Sequence, residues 1–107
     1  MKVKYEFKND ITLEELAKRY NLVMRVIERD ARFREKNMRF YAKFEGVEAK
    51  GNFSLTSVYG DGNTGEEAIF NYCKEISNRV LVKDAYKDTR VEIDVPTVIC
   101  AYKEEKV

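Results

Sequence analysis

Basic side chains are concentrated between Arg29 and Lys43, where they alternate with aromatic residues. The segment has two acids, Asp30 and Glu35, and six bases: Arg29, Arg32, Arg34, Lys36, Arg39 and Lys43. Arginine beside exposed aromatic rings is typical of protein hot spots and of surfaces that bind phosphates or stack on bases. We therefore predict a partner-binding surface, with a merely solvated loop and strand as the alternative. Its predicted residues are Arg29, Arg32, Arg34, Lys36, Arg39, Tyr41 and Lys43.

Charges elsewhere in the chain favour a protein as the partner. The sequence carries 20 basic and 19 acidic residues, a net charge of +1, so no overall field steers it toward nucleic acid or a membrane surface. Between Tyr59 and Asn78 the balance is acidic, with four carboxylates and one lysine. We therefore expect a protein partner first and a nucleic acid second, and no membrane partner.

Residue types suited to catalysis or metal binding are sparse. The chain has no histidine, the residue that most often acts as a general base or metal ligand. Carboxylates occur as adjacent pairs such as Glu66-Glu67, and neighbouring residues on a helix point about 100° apart, so they form no acid–base pair. Cys73 and Cys100 lie in a predicted helix and a predicted strand, where we expect buried apolar side chains. The sequence predicts a non-enzymatic protein without metal or cofactor.

The length of 107 residues fits one domain with a modest core. Residues are 44 % hydrophobic and 36 % charged, a balance unlike that of disordered or membrane-embedded chains. In the opening MKVKYEFKND, apolar and charged residues alternate, so we expect neither a signal peptide nor a membrane span. The predictions are a single domain over residues 1–107 and a cytoplasmic location.

The first third of the chain predicts strand, helix and strand. Apolar and charged residues alternate in a first strand whose buried face is formed by Val3, Tyr5 and Phe7. Thr12 and Glu15 form a capping box that starts a helix, and Asn21 ends it. The β-branched residues of Leu22–Asp30 favour a strand, although a helix continuing to about Arg32 also fits their spacing. The polar residues 31–37 predict a charged loop.

The middle of the chain predicts a hairpin that leads into a second helix. One strand has a face formed by Phe40, Ala42 and Phe44. A further strand begins at Phe53, and the hairpin ends in the predicted turn Gly60-Asp61-Gly62-Asn63. Asn63 or Thr64 caps the helix, with Glu67 completing a capping box. The buried stripe of this helix is predicted to be Ala68, Ile69, Tyr72, Cys73 and Ile76.

Three apolar segments complete the chain: Val80–Val82, Val91–Val95 and, after Pro96, Val98–Tyr102. Each is short and rich in valine, which favours strands. The predicted order is β-α-β-β-β-α-β-β. The fold class is therefore α+β, with two helices on one face of an antiparallel sheet.

The predicted middle of the chain has a helix, three antiparallel strands and a second helix, with a glycine turn before the second helix. This arrangement resembles the double-stranded RNA binding domain. In that family the turn carries lysines that bind phosphates together with the helix N-terminus. This chain has Glu66 and Glu67 there, and their charge opposes phosphate binding. The resemblance implies a nucleic-acid binding module.

Two further resemblances imply a protein partner. The turn G-x-T-x-E-E-A from Gly62 to Ala68 is similar to that of HicB-type antitoxin domains, which act by covering a partner protein. The segments GDGNTGEEAIFNYCKEIS and LVKDAYKDTRVEIDVP resemble short uncharacterised proteins of bacteriophages and prophages of low-GC Gram-positive bacteria. That implies an accessory protein in the host cytoplasm that modulates a host or phage protein.

Three functions follow from these observations. The first is a non-enzymatic binding protein that modulates a protein partner, and the second is a nucleic-acid binding module. The third is a small structural protein that oligomerises through an unpaired edge strand in Val91–Tyr102, which is compatible with a homodimer.

Overall fold

Residues 10–100, the part described by the computed structural model, form two α-helices, one 3-10 turn and nine short strands. The α+β class is thereby confirmed. The helices are α1 Leu13–Tyr20 and α2 Gly65–Ile76, and the 3-10 turn is Ala31–Phe33. The strands are β1 Ile11–Thr12, β2 Met24–Glu28, β3 Phe40–Phe44, β4 Val47–Lys50, β5 Leu55–Thr56, β6 Gly60–Gly62, β7 Val80–Lys83, β8 Val91–Asp94 and β9 Val98–Ile99. The strand predicted around Val3, Tyr5 and Phe7 lies outside the described residues.

The strands form three sheets where the sequence predicted a single one. β2-β3-β6 and β5-β4-β7-β8 are antiparallel, and β1 pairs with β9 in parallel. The chain crosses from the three-stranded to the four-stranded sheet between β3 and β4. Gly46 makes this turn with a φ of 69°, a left-handed conformation that glycine adopts without the strain of a side chain.

The predicted capping box starts α1, and the chain then turns back as a strand. The Thr12 hydroxyl accepts a hydrogen bond from the Glu15 backbone N–H at 3.2 Å, and Asn21 ends the helix with a φ of 54°. The Leu22 backbone N–H donates to the Ala17 carbonyl at 2.8 Å. Because Asn21 breaks the helical path, β2 follows as an extended strand, and the alternative of one helix to Arg32 is wrong.

The second helix packs against the three-stranded sheet. Thr64 is its cap, accepting from the Glu67 N–H at 3.1 Å. Four members of the predicted stripe are buried and Ile69 is half-buried. Tyr72 meets the Phe44 ring of β3 edge-on, with 5.5 Å between ring centres. The predicted face of β3 formed by Phe40, Ala42 and Phe44 is therefore the one that α2 covers.

Five strands separate the helices, where the sequence predicted three. β4 was not expected, and β6 occupies the residues predicted to be a turn. An added Cβ at Gly60 would lie 2.1 Å from the Tyr72 backbone nitrogen. Glycine is therefore required here by the close approach of helix and strand. The strand predicted from Phe53 is reduced to the two residues of β5, and the Phe53 side chain is exposed.

The remaining strands follow the prediction more closely. β7 and β8 cover the predicted strands Val80–Val82 and Val91–Val95 and pair with each other, which leaves β8 as one edge of the four-stranded sheet. β9 covers the start of the predicted strand Val98–Tyr102 and pairs with β1; residues 101 and 102 lie outside the described part.

Buried side chains from Ile11 to Cys100 form one hydrophobic cluster. Both cysteines are buried and unbridged, as predicted. Burial raises the pKa of the Cys73 thiol to about 12, and the neighbouring Cys100 adds to the shift. Within residues 10–100 the helices are too short or too polar to cross a bilayer.

Candidate functional site

The face of the β2-β3-β6 sheet turned away from α2 carries aromatic, aliphatic and basic side chains. Side chains alternate along a strand, and directly paired residues share a face. Arg25 pairs with Lys43, Ile27 with Tyr41, and Tyr41 with Asp61. Tyr59 lies two residues before Asp61 and shares its side of the sheet. We call the surface formed by Arg25, Ile27, Tyr41, Lys43 and Tyr59 the aromatic face.

Arg29 holds the two tyrosines of this face in place. Its guanidinium carbon lies 4.8 Å from the ring centre of Tyr41 and 5.6 Å from that of Tyr59. The rings meet edge-on, with 5.9 Å between their centres. Arg29 is ion-paired with Asp61 and donates to the Met38 carbonyl at 2.9 Å. These contacts leave 15 % of its side chain exposed, so its charge is neutralised inside the domain.

The other predicted arginines also pair with carboxylates of the chain. Arg32 pairs with Asp30 at 3.1 Å. Arg34 and Arg39 share one oxygen of Glu28 at 2.7 Å and 3.1 Å. The Arg32 hydrogen bonds hold the pKa of the Asp30 carboxyl below its usual value. The basic segment thus presents less free charge than its composition indicates.

The structure divides the predicted site residues into two groups. Tyr41 and Lys43 lie on the aromatic face, and Arg29 contacts both of its tyrosine rings. Lys36 is exposed in the loop between β2 and β3. Within the described residues neither Lys36 nor Lys43 forms an ion pair. The remaining residues, Arg32, Arg34 and Arg39, lie in or beside that loop.

Three residues of the aromatic face were missed from the sequence. Arg25 and Ile27 could have been found, because the period of two in the predicted strand Leu22–Asp30 places them on one face. Tyr59 could not, because β6 was predicted to be a turn and its pairing with β3 is long-range. At 41 % and 43 % exposed, Ile27 and Tyr59 offer the apolar area that the basic segment lacks.

A shallow groove continues from the aromatic face across the turn at Gly46. One depression of about 360 Å³ is lined by Arg25, Ile27, Tyr41, Lys43, Glu45 and Gly46. A second, of about 210 Å³, shares Lys43 and Gly46 and extends to the loop after β7, where Tyr86 and Lys87 lie. An ion pair of 3.0 Å between Arg25 and Glu45, both half-exposed, borders the groove.

The groove offers contacts through aromatic stacking, ion pairing and apolar burial. Within the described part of the chain, no three histidine, cysteine or carboxylate side chains come together as a metal site would require. The acidic start of α2, at Glu66 and Glu67, packs on the opposite side of the sheet from the aromatic face.

Comparison of the chain with models of protein families, with curated proteins and with solved structures found no match. The resemblances to the double-stranded RNA binding domain, to HicB-type antitoxins and to phage proteins therefore stay predictions.

Proposed function

We propose that this chain is a non-enzymatic binding protein that recognises another protein through the aromatic face. The observation that carries the proposal is the pair Tyr41 and Tyr59, held by the partly buried ion pair of Arg29 and Asp61. Pre-ordered tyrosines lose little conformational entropy on binding, and they are enriched among the residues that dominate protein interfaces.

The charges around the groove are mixed, because the carboxylates Glu45, Glu48 and Asp84 line it together with Arg25, Lys43 and Lys87. Such a mixed surface favours a protein partner over a nucleic acid. Lys43 and Lys87 border the groove, and neither pairs with a carboxylate within residues 10–100. A nucleic acid would require a larger excess of unpaired cations, since phosphate contacts supply most of its affinity. The resemblance to phage proteins makes a host or phage protein the expected partner.

The test compares two charge reversals within the basic segment. Lys43→Glu alters the aromatic face, whereas Lys36→Glu makes the same change in the neighbouring loop. With the immobilised full chain in host lysate, we expect Lys43→Glu to weaken capture roughly tenfold or more, as for an interface hot spot. Lys36→Glu should bind as the unaltered chain does.

Equal losses from the two reversals would contradict the proposal, because binding would then depend on charge alone and not on the aromatic face.

A second experiment tests whether the chain binds nucleic acid. A mobility shift with single-stranded or duplex RNA that weakens steeply as salt rises would favour the nucleic-acid module instead.

A further inference from the structure

Among the strands that the structure describes, β2 forms one edge of the three-stranded sheet. It pairs with β3 on one side, and no described strand lies on the other. Every residue from Arg25 to Glu28 is exposed, including Val26 at 40 %. With five residues it is longer than the other described edge strands, which are β1, β5, β6, β8 and β9.

The backbone of β2 is ready to accept another strand. The Arg29 N–H donates to the Arg39 carbonyl, and the Glu45 N–H donates to the Val23 carbonyl, both at 2.8 Å. Odd-numbered residues therefore bond to β3, and even-numbered residues direct their N–H and C=O groups outward. These are Met24, Val26 and Glu28. The strand has neither proline nor bulge, two features with which natural edges prevent pairing.

We propose that β2 pairs in antiparallel orientation with β2 of a second copy of this chain, around a two-fold axis at Val26. Two three-stranded sheets would then join into one of six strands. The outward groups of Met24, Val26 and Glu28 form the ladder, and Val26 of one copy lies beside Val26 of the other. Arg25 of each copy lies opposite Ile27 of its partner.

Avoidance of like-charge contacts favours this register over its two neighbours. A two-fold axis at Arg25 places the two Arg25 side chains directly opposite each other. An axis at Ile27 places Arg25 opposite Arg29 of the other copy. Like charges that face each other across strands are destabilising. The axis at Val26 avoids both contacts and pairs all five residues of β2.

This self-association goes beyond the proposed function and does not depend on it. It brings the aromatic faces of two copies side by side on one sheet, with Arg25 and Ile27 at the seam. A variant that loses dimerisation but still captures the protein partner would separate the two proposals. A variant that dimerises but no longer captures the partner would separate them as well.

The test introduces opposite charges at position 27 in two separate variants. Ile27→Glu creates two attractive pairs with Arg25 of the partner, whereas Ile27→Lys creates two repulsive ones with equal loss of apolar area. Light scattering after size exclusion, over a range of concentrations, should show a dimer of the 12.6 kDa chain. We expect the dimer dissociation constant to fall with Ile27→Glu and rise with Ile27→Lys, by about twofold to thirtyfold each.

A backbone variant provides an independent check. Val26→Pro removes an outward N–H but no bond to β3, so it should abolish the dimer while circular dichroism shows the fold intact. A strict monomer at all concentrations would overturn the proposal. Equal effects from Ile27→Glu and Ile27→Lys would overturn it as well, as would a dimer that Val26→Pro leaves unchanged.

Discussion

At position 29 the guanidinium meets a carboxylate, two backbone carbonyls and two aromatic rings. Arg25 lies four residues earlier, in β2. It forms an ion pair with Glu45 in which both side chains are more than half exposed. The two residues have the same chemistry but different surroundings. Burial and multiple partners make Arg29 structural, whereas exposure leaves Arg25 available for contact.

This difference predicts effects of different size for the same substitution at the two positions. Arg29→Lys retains the charge but loses the planar fork that spans Asp61 and the rings, so it should lower the free energy of unfolding by about 1 to 3 kcal/mol. Arg25→Lys should change it by less than about 1 kcal/mol, as for exposed ion pairs. Urea unfolding of both variants measures this. Similar losses would show that Arg29 does not organise the face.

Tyr72 presents a buried hydroxyl that lacks a well-formed hydrogen bond. The Phe44 backbone is near, but burial outweighs it and raises the pKa of Tyr72 from 10.0 to about 12. Cys73, the next residue, has its thiol pKa raised from 9.0 to about 12. Both groups favour the protonated form in the folded chain.

The folded chain should therefore lose stability in alkaline solution. Both contributions are complete below about pH 9 and decline as pH rises toward 12, because the unfolded chain then releases protons that the folded chain retains. The slope is at most about 1.4 kcal/mol per pH unit for each group. Tyr72→Phe should be neutral or slightly stabilising at pH 7 and should reduce the loss above pH 10. Unfolding curves at both pH values test this, and a large loss at pH 7 would show that the hydroxyl is satisfied.

At the scale of elements, the contact between β6 and α2 depends on Gly60. A Cβ there would meet the backbone of Ala68 and Tyr72 at 2.2 Å and 2.1 Å, so Gly60→Ala must displace the helix. We expect a loss of about 3 kcal/mol or more. Gly65 lies at the start of the same helix, where a Cβ would meet only the exposed Val26 side chain at 3.3 Å and no backbone atom.

Gly65→Ala is the matched control and should change stability by less than about 1 kcal/mol, since alanine favours a helix. Thermal unfolding compares the two variants. If both substitutions had the same small effect, the close packing of helix and strand would be refuted.

Elements set by local chemistry could be predicted from the sequence. Thr12 and Thr64 cap their helices as expected, and the alternation in β3 identified its buried face. β6 was missed because its glycines are typical of a turn, whereas its strand conformation depends on pairing with β3, a contact distant in sequence. The division into separate sheets was missed for the same reason, because strand pairing is long-range.

At the scale of the whole molecule, the predicted basic segment is only partly the candidate site. Tyr41 and Lys43 were identified, but the arginines around them proved to be paired with carboxylates such as Glu28 and Asp61. The amino-acid composition gives the number of charged residues, but it does not show which of them form ion pairs with each other. The surface that remains is more aromatic and less basic than the sequence indicated.

Photo-crosslinking from single positions tests the role of the aromatic face most directly. A photoreactive phenylalanine analogue replaces Tyr41 on this face or Phe53, an exposed aromatic in the loop between β4 and β5, and the full chain is irradiated in a cell lysate. We predict a discrete protein adduct from position 41 and none from position 53. Adducts of equal yield from both positions, or adducts to nucleic acid from position 41, would contradict the account.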